Sequence, residues 1–300
     1  MTRQLTCQSA VYALSKENPS AITIQPGETL TMETYDCFQN QIQSETTEIS
    51  AIDWNQINPA TGPVYVEGAE PGDILKVKID QLKIGERGVM VTGKDLGVLG
   101  HRFDNFDVKI IPVKDNQAIF DEKLSLPLNP MIGVIGVAPE NEPVNCGTPG
   151  AHGGNMDTKV ITEDVELYFP VFVEGALFAL GDFHAAMGDG EVSVSGIEVP
   201  GEATVTFELI KKQSLPFPLV ANDEGISLIV SKETLDEAVV TAVEQMVDLL
   251  HPRTDLTLSH LTMLMSAAGE VQVSQVVDPL VTARFFVPEH ILEAYDIQLF

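Results

Sequence analysis

Basic residues are scarce in this chain of 300. Lys and Arg number 17 against 44 Asp and Glu, a formal net charge of −27. A groove that neutralises phosphates needs clustered Lys and Arg, so the shortage excludes nucleic acid as a partner. An anionic membrane surface would repel the chain for the same reason. Long apolar runs are also missing: the longest candidate, Pro170 to Gly181, is short and interrupted by Glu174, which argues against a membrane span. Met1-Thr2-Arg3-Gln4-Leu5 has none of the charged-then-apolar pattern of a signal segment. Cysteine is sparse: Cys7, Cys37 and Cys146 are odd in number and widely spaced, with no Cys-x-x-Cys pair. That pattern fits neither a disulfide framework nor a thiolate zinc site, and a reducing cytoplasm is the expected location.

Apolar material, by contrast, is plentiful. With 20% charged and 44% hydrophobic residues, the chain has the content for a folded core rather than an acidic disordered tail. Period-two patterns dominate it. Leu75, Val77 and Ile79 alternate with Lys76, Lys78 and Asp80 after the turn signal Glu70-Pro71-Gly72-Asp73. Val192 with Val194, Ala203 through Leu209, Val271 with Val273, and Ala283, Phe285 and Val287 repeat the alternation. Two stretches carry helical spacing. One runs from Lys232 to Leu250, with Ser231 as its expected N-cap and Pro252 as its stop; the other runs from about Leu256 to Ala268 and ends at Gly269. The expected fold is mainly β. A sandwich- or barrel-like body over residues 1–210 carries the site, and a small α+β portion over 211–300, with two helices, packs on it as one unit.

The chemistry concentrates between Asn145 and Glu191. Asn145-Cys146-Gly147-Thr148-Pro149-Gly150-Ala151-His152-Gly153-Gly154-Asn155-Met156-Asp157 opens this stretch, and Gly181-Asp182-Phe183-His184-Ala185-Ala186-Met187-Gly188-Asp189-Gly190-Glu191 closes it. The segment between them, Leu167 to Leu180, reads as buried strand. Glycine permits tight or left-handed backbone where polar side chains must converge. Asp182 and His184, at i and i+2, project to one side of an extended strand and make a platform for a divalent metal, which His152 and Asp157 could complete. The same residues also suit plain turn formation, and spacing alone leaves both readings open. Asp36, after an expected strand, is a further candidate; His101, His251 and His260 read as structural. A Cys146 thiolate with His152 as its base is an alternative nucleophile. No Gly-x-Ser-x-Gly elbow exists, and the acids from Asp182 to Glu191 lack the spacing of an EF-hand.

These segments resemble the acetamidase/formamidase family, amidohydrolases of short aliphatic amides. The likeness includes the two Gly-rich segments together with Asn58 to Asp73, Phe169 to Leu177 and Val273-Ser274-Gln275-Val276-Val277-Asp278-Pro279. The family pattern carries Gln where this chain has Met187. The resemblance implies a self-associating β-rich protein, a dimer or higher, that takes a small amide and a divalent metal, zinc with calcium as the alternative. In that scheme Asp36, His152, Asp182 and His184 hold the metal. Glu191, or failing that Asp157, moves the water proton to the departing amine. The amides of Gly153 and Gly154, with Asn155, face the oxyanion, and Phe183 and Met187 wall a small pocket. The competing expectation is a non-catalytic β-rich binding protein stabilised by calcium.

Overall fold

The computed structural model describes residues 3–300. Two large sheets form the body. The first has nine strands, in the spatial order Arg3–Leu5, Thr29–Thr34, Gly201–Ile210, Ile74–Ile84, Glu166–Pro170, Leu219–Asn222, Gly225–Lys232, Val281–Pro288 and Glu270–Gln275. The second is built around Phe178–His184, which pairs with Met131–Gly136, Ala60–Val66 and Glu198–Val199. Beyond Glu198–Val199 the sheet continues through Arg87–Thr92 and Asp107–Lys114.

Alternation along the strands sets which face meets the core. Leu75, Val77 and Ile79 are fully buried, while Lys76 turns outward to Glu166 at 2.8 Å on the neighbouring strand. Val205 and Phe207 from the same sheet enter one continuous core with Val64, Ile132, Ile135, Phe178, Leu180 and Phe183 of the second sheet. The two sheets thus close as a sandwich, each fully buried large apolar side chain contributing about 1.5–3 kcal/mol over its exposed state. Phe178–His184 is buried at all seven positions, so it lies inside the sheet and carries Asp182 and His184 into the interior.

The C-terminal strands extend the first sheet and bury both faces. In Gly225–Lys232, Ile229 faces the inter-sheet core, and Leu228 and Val230 face a second core. That second core is roofed by helices α1 (Leu235–Leu250), α2 (Leu258–Ala268) and α3 (Glu289–Ala294), through Ala242, Met246, Leu261, Met265 and Ile291. The mainly β fold with helices near the C-terminus is as expected from the patterning. No helix among the described residues is long and apolar enough to cross a membrane.

Several local expectations need correction. The first helix begins later, because Lys232 still belongs to a strand and the Ser231 hydroxyl is engaged with Thr282 at 2.9 Å. Thr234 is the N-cap, accepting from the Glu237 amide. Gly269 does follow α2, but in extended backbone; it is small because a Cβ there would run into the Phe285 ring. Helix α3, six residues long, is too short to carry a periodic signal. Val192 and Val194 lie in turns rather than a strand, with Val192 exposed and Val194 at φ 79°.

Candidate metal and active site

The site grows from the register of the second sheet. His184 lies directly opposite Glu198 on the adjacent antiparallel strand, and its Nε2 reaches Glu198 Oε2 at 3.1 Å. The same nitrogen is 3.4 Å from Asp182 Oδ1 and 3.7 Å from Asp157 Oδ1. Asp157, His184 and Glu191 each offer a ligand atom within 4.8 Å of one another, and Cys37, Asp182 and Glu198 form a second such group. Asp157, Asp182, His184, Glu191 and Glu198 are all buried.

Small residues make the room. Ile132 pairs with Phe183 and Val134 with Gly181, so Gly133 lies across from Asp182. A Cβ at Gly133 would strike the carboxylates of both Asp157 and Asp182. At Gly196 a Cβ would sit 2.6 Å from His184 Nδ1. Asp157, Asp182 and Glu191 all hold left-handed backbone, with φ of 40°, 58° and 46°. Such conformations cost on the order of 1–3 kcal/mol each for non-glycine residues and concentrate at functional sites.

Charge in this cluster is one-sided. Burial, reinforced by Asp182, pushes Asp157 up to about 7; burial raises Glu198 to about 8 even with His184 opposing it. Glu191 is driven well above the usual carboxylate range by burial and then by Asp157, and Asp278 by burial followed by Asp157 and Asp182. Burial pulls the His184 imidazole down, but Glu198 and Asp182 reverse this and hold the ring well above its ordinary value. Both oxygens of Asp157, Asp182 Oδ1, Glu198 Oε2 and both His184 nitrogens are buried without a hydrogen-bond partner. Acceptors this crowded and unpartnered fit a divalent cation, which would offset their repulsion and satisfy the orphaned atoms together.

The cluster forms one wall of a cavity of about 290 Å³, where Asp182, Glu191, Glu198, Asn155 and Asp278 meet apolar walls of Phe38, Trp54, Ile57, Leu96 and Val277. Asn155 donates to Asp278 at 2.9 Å, and its Oδ1 is buried and unpartnered.

Of the residues singled out in the sequence, Asp157, Asp182, His184 and Glu191 come together, and Asn155 lines the cavity beside them. Asp36 lies at the margin. Its Oδ1 accepts from the Phe38 and Asn40 amides at 3.0 and 2.6 Å, Oδ2 has no partner, and burial raises its carboxyl to about 6. His152 is in neither group of candidate ligands. Its ring sits between Gly150 and Gly154, its Nε2 has no partner, and burial lowers it to about 4. The Gly153 amide already donates to the Gly150 carbonyl at 3.1 Å, which commits one expected oxyanion donor elsewhere. Phe183 belongs to the inter-sheet core, and Met187 lines a separate, largely apolar cavity of about 420 Å³ that shares Glu191. Cys146 is fully buried among Leu14, Val134 and Ala179, and burial pushes its thiol up to about 12, against a thiolate role. Three contributors were missed: Glu198, Asp278 and Cys37. The strand register brings in Glu198. Asp278 lies in the Val273 to Pro279 motif, which carries no local metal-ligand spacing, and Cys37, without a Cys-x-x-Cys partner, shows no thiolate-site spacing in the sequence.

The model of the acetamidase/formamidase family matches residues 13–147 and 141–294. The chain belongs to that family. A crystal structure of a recombinant predicted acetamidase/formamidase from the thermophile Thermoanaerobacter tengcongensis is 53% identical, with a TM-score of 0.97 and 99% of each chain covered. The structure of an acetamidase from Bacillus halodurans is 44% identical, with a TM-score of 0.96, covering 98% of this chain and 100% of that one. A formamidase from Methylophilus methylotrophus is 25% identical over 257 residues, 64% of this chain. This chain matches 62% of the length of that curated relative.

Proposed function

We propose that this acetamidase/formamidase family member is a metal-assisted amidohydrolase that converts short aliphatic amides to a carboxylate and ammonia. The observation that carries the reading is the buried, unpartnered cluster of Asp157, Asp182, His184 and Glu198, of which Asp182 and Glu198 line a small cavity. These residues would hold a divalent metal, and the imidazole at their centre favours zinc over calcium, which prefers oxygen ligands alone. When bound, such a metal polarises an amide carbonyl and makes water more acidic.

The chain's own groups then have distinct tasks. Glu191, buried and lining the cavity, would be ionised once a bound cation offsets the neighbouring acids; it then takes a proton from the attacking water and delivers it to the departing nitrogen. The water oxygen forms the new C–O bond, the C–N bond breaks, and ammonia leaves with the transferred proton. Asn155 orients Asp278 by its 2.9 Å hydrogen bond and keeps that carboxylate at the cavity wall. Phe38, Trp54 and Ile57 exclude water from an acyl chain, and the acidic interior disfavours anionic substrates. A calcium-stabilised binding protein is the weaker reading, because calcium sites are built from oxygen ligands and this cluster centres on an imidazole. The family resemblance also supports self-association, which sedimentation of the purified protein checks.

Ammonia release from formamide and acetamide, with elemental analysis, tests the proposal. Turnover that a chelator abolishes and zinc restores is expected. Calcium-loaded protein without turnover would overturn it in favour of the binding module.

A further inference from the structure

Arg284 is a guanidinium with 1% exposure, buried in strand Val281–Pro288 of a chain short of bases. Its Nη1 and Nη2 grip Asp189 Oδ1 and Oδ2 at 2.9 and 3.0 Å. Nη1 also donates to the Val273 carbonyl and to Ser274 Oγ, each at 3.0 Å, and Nε donates to Gln272 Oε1 at 2.8 Å. A two-pronged fork of this kind fixes orientation as well as distance.

Two of these acceptors, Asp189 and Ser274, lead along the chain to acids of the cluster. After Asp189 comes Gly190, whose amide donates to the Ser274 carbonyl at 2.8 Å and whose carbonyl accepts from Val276 at 3.2 Å; Glu191 follows. Ser274 sits where the register slips between Val273 and Gln275, and such a bulge re-aims a side chain. Its Oγ accepts from Thr158 Oγ1 at 2.9 Å, and Thr158 directly follows Asp157. Lys159 closes the same segment onto Asp189 Oδ2 at 2.9 Å. Beyond Ser274, Gln275 Oε1 accepts from the amides of Val277 and Asp278 at 2.9 and 3.0 Å.

We propose that Arg284 is the positioning residue of the acid cluster, its guanidinium setting the mutual placement of the segments that carry Asp157, Glu191 and Asp278. Carboxylates crowded in a buried site repel one another, so the backbone that carries them needs a clamp outside the site. Arg284 supplies that clamp without touching any of the three acids. Its catalytic consequence rests on the amidohydrolase reading; its mechanical consequence does not.

The test compares wild type, Asp189→Asn, Arg284→Lys and the double variant by steady-state acetamide hydrolysis and by amide hydrogen exchange. Expected is a fall in kcat of about 10- to 100-fold in each single variant, the range typical of partners that orient a site, with KM changing less. The double variant loses no more than the worse single, because both act through one fork. Exchange rises across residues 156–159, 188–191 and 274–278 and is unchanged in strand Ile74–Ile84. Three results overturn the proposal: kcat within about two-fold of wild type, single losses that multiply in the double variant, or exchange rising uniformly over both sheets. Should Arg284→Lys fail to fold, Asp189→Asn decides alone, since its side chain is about one-third exposed on a loop. Wild-type protein that releases no ammonia defeats the amidohydrolase reading, and the exchange pattern then decides the clamp.

Discussion

Around Arg284, buried charge is matched group for group: a carboxylate, a carbonyl, a hydroxyl and a side-chain amide each accept from the guanidinium. Around His184, reached through Asp189 and Glu191, acids crowd against a single imidazole and many of their atoms have no partner. The first arrangement holds chain segments in place. The second disfavours folding on its own, since unpartnered buried polar groups cost about 1–3 kcal/mol each. It is sustained because a rigid sandwich and the satisfied Arg284 network surround it. These unpartnered acids are what the proposed metal would satisfy.

That contrast breaks most sharply at His184. Replacing it by Ala should lower amide turnover by more than the roughly 100-fold ceiling typical of outer partners, and bound metal should fall with it. Elemental analysis and ammonia release read both. Gly133→Ala comes next. The added methyl strikes the Asp157 and Asp182 carboxylates, so kcat/KM should fall about 100-fold, the scale of an ångström-sized misplacement. Its stability should fall by only about 1–3 kcal/mol in denaturant titration. Asp157→Asn sharpens the comparison from the other side. Removing one repelling carboxylate should stabilise chelator-stripped protein by about 0.5–2 kcal/mol in thermal melts while abolishing its metal-dependent gain. Cys146→Ala should have the smallest effect. Its thiol is sequestered from the cavity, so kcat should match wild type and alkylation of native protein should spare activity.

Much of the fold is legible in the sequence alone. Leu75, Val77 and Ile79 alternate because one face of their strand meets the opposing sheet, and that period survives in the sequence. The i, i+2 spacing of Asp182 and His184 put both on one side of a strand, and their nitrogen and oxygen do approach. Glu198 was not legible, because it joins His184 through cross-strand register, which no local window contains. Asp278 comes from the far end of the chain and reaches the cavity through a bulge and a turn, and Arg284 joins Asp189 across 95 residues. His152 stands differently: its ring lies against Gly150 and Gly154, and its Nε2 is buried without a hydrogen-bond partner. Val192 and Val194 matched a strand pattern by chance in a turn whose backbone is set by the loop that carries Glu191.

Zinc titration into chelator-stripped protein, read by calorimetry for wild type and for the Asp182→Asn, His184→Ala double variant, tests the central claim most directly. Stoichiometric zinc binding to wild type, restoring acetamide hydrolysis and missing from the double variant, is the predicted result. Full hydrolysis by stripped wild-type protein held in excess chelator would contradict it.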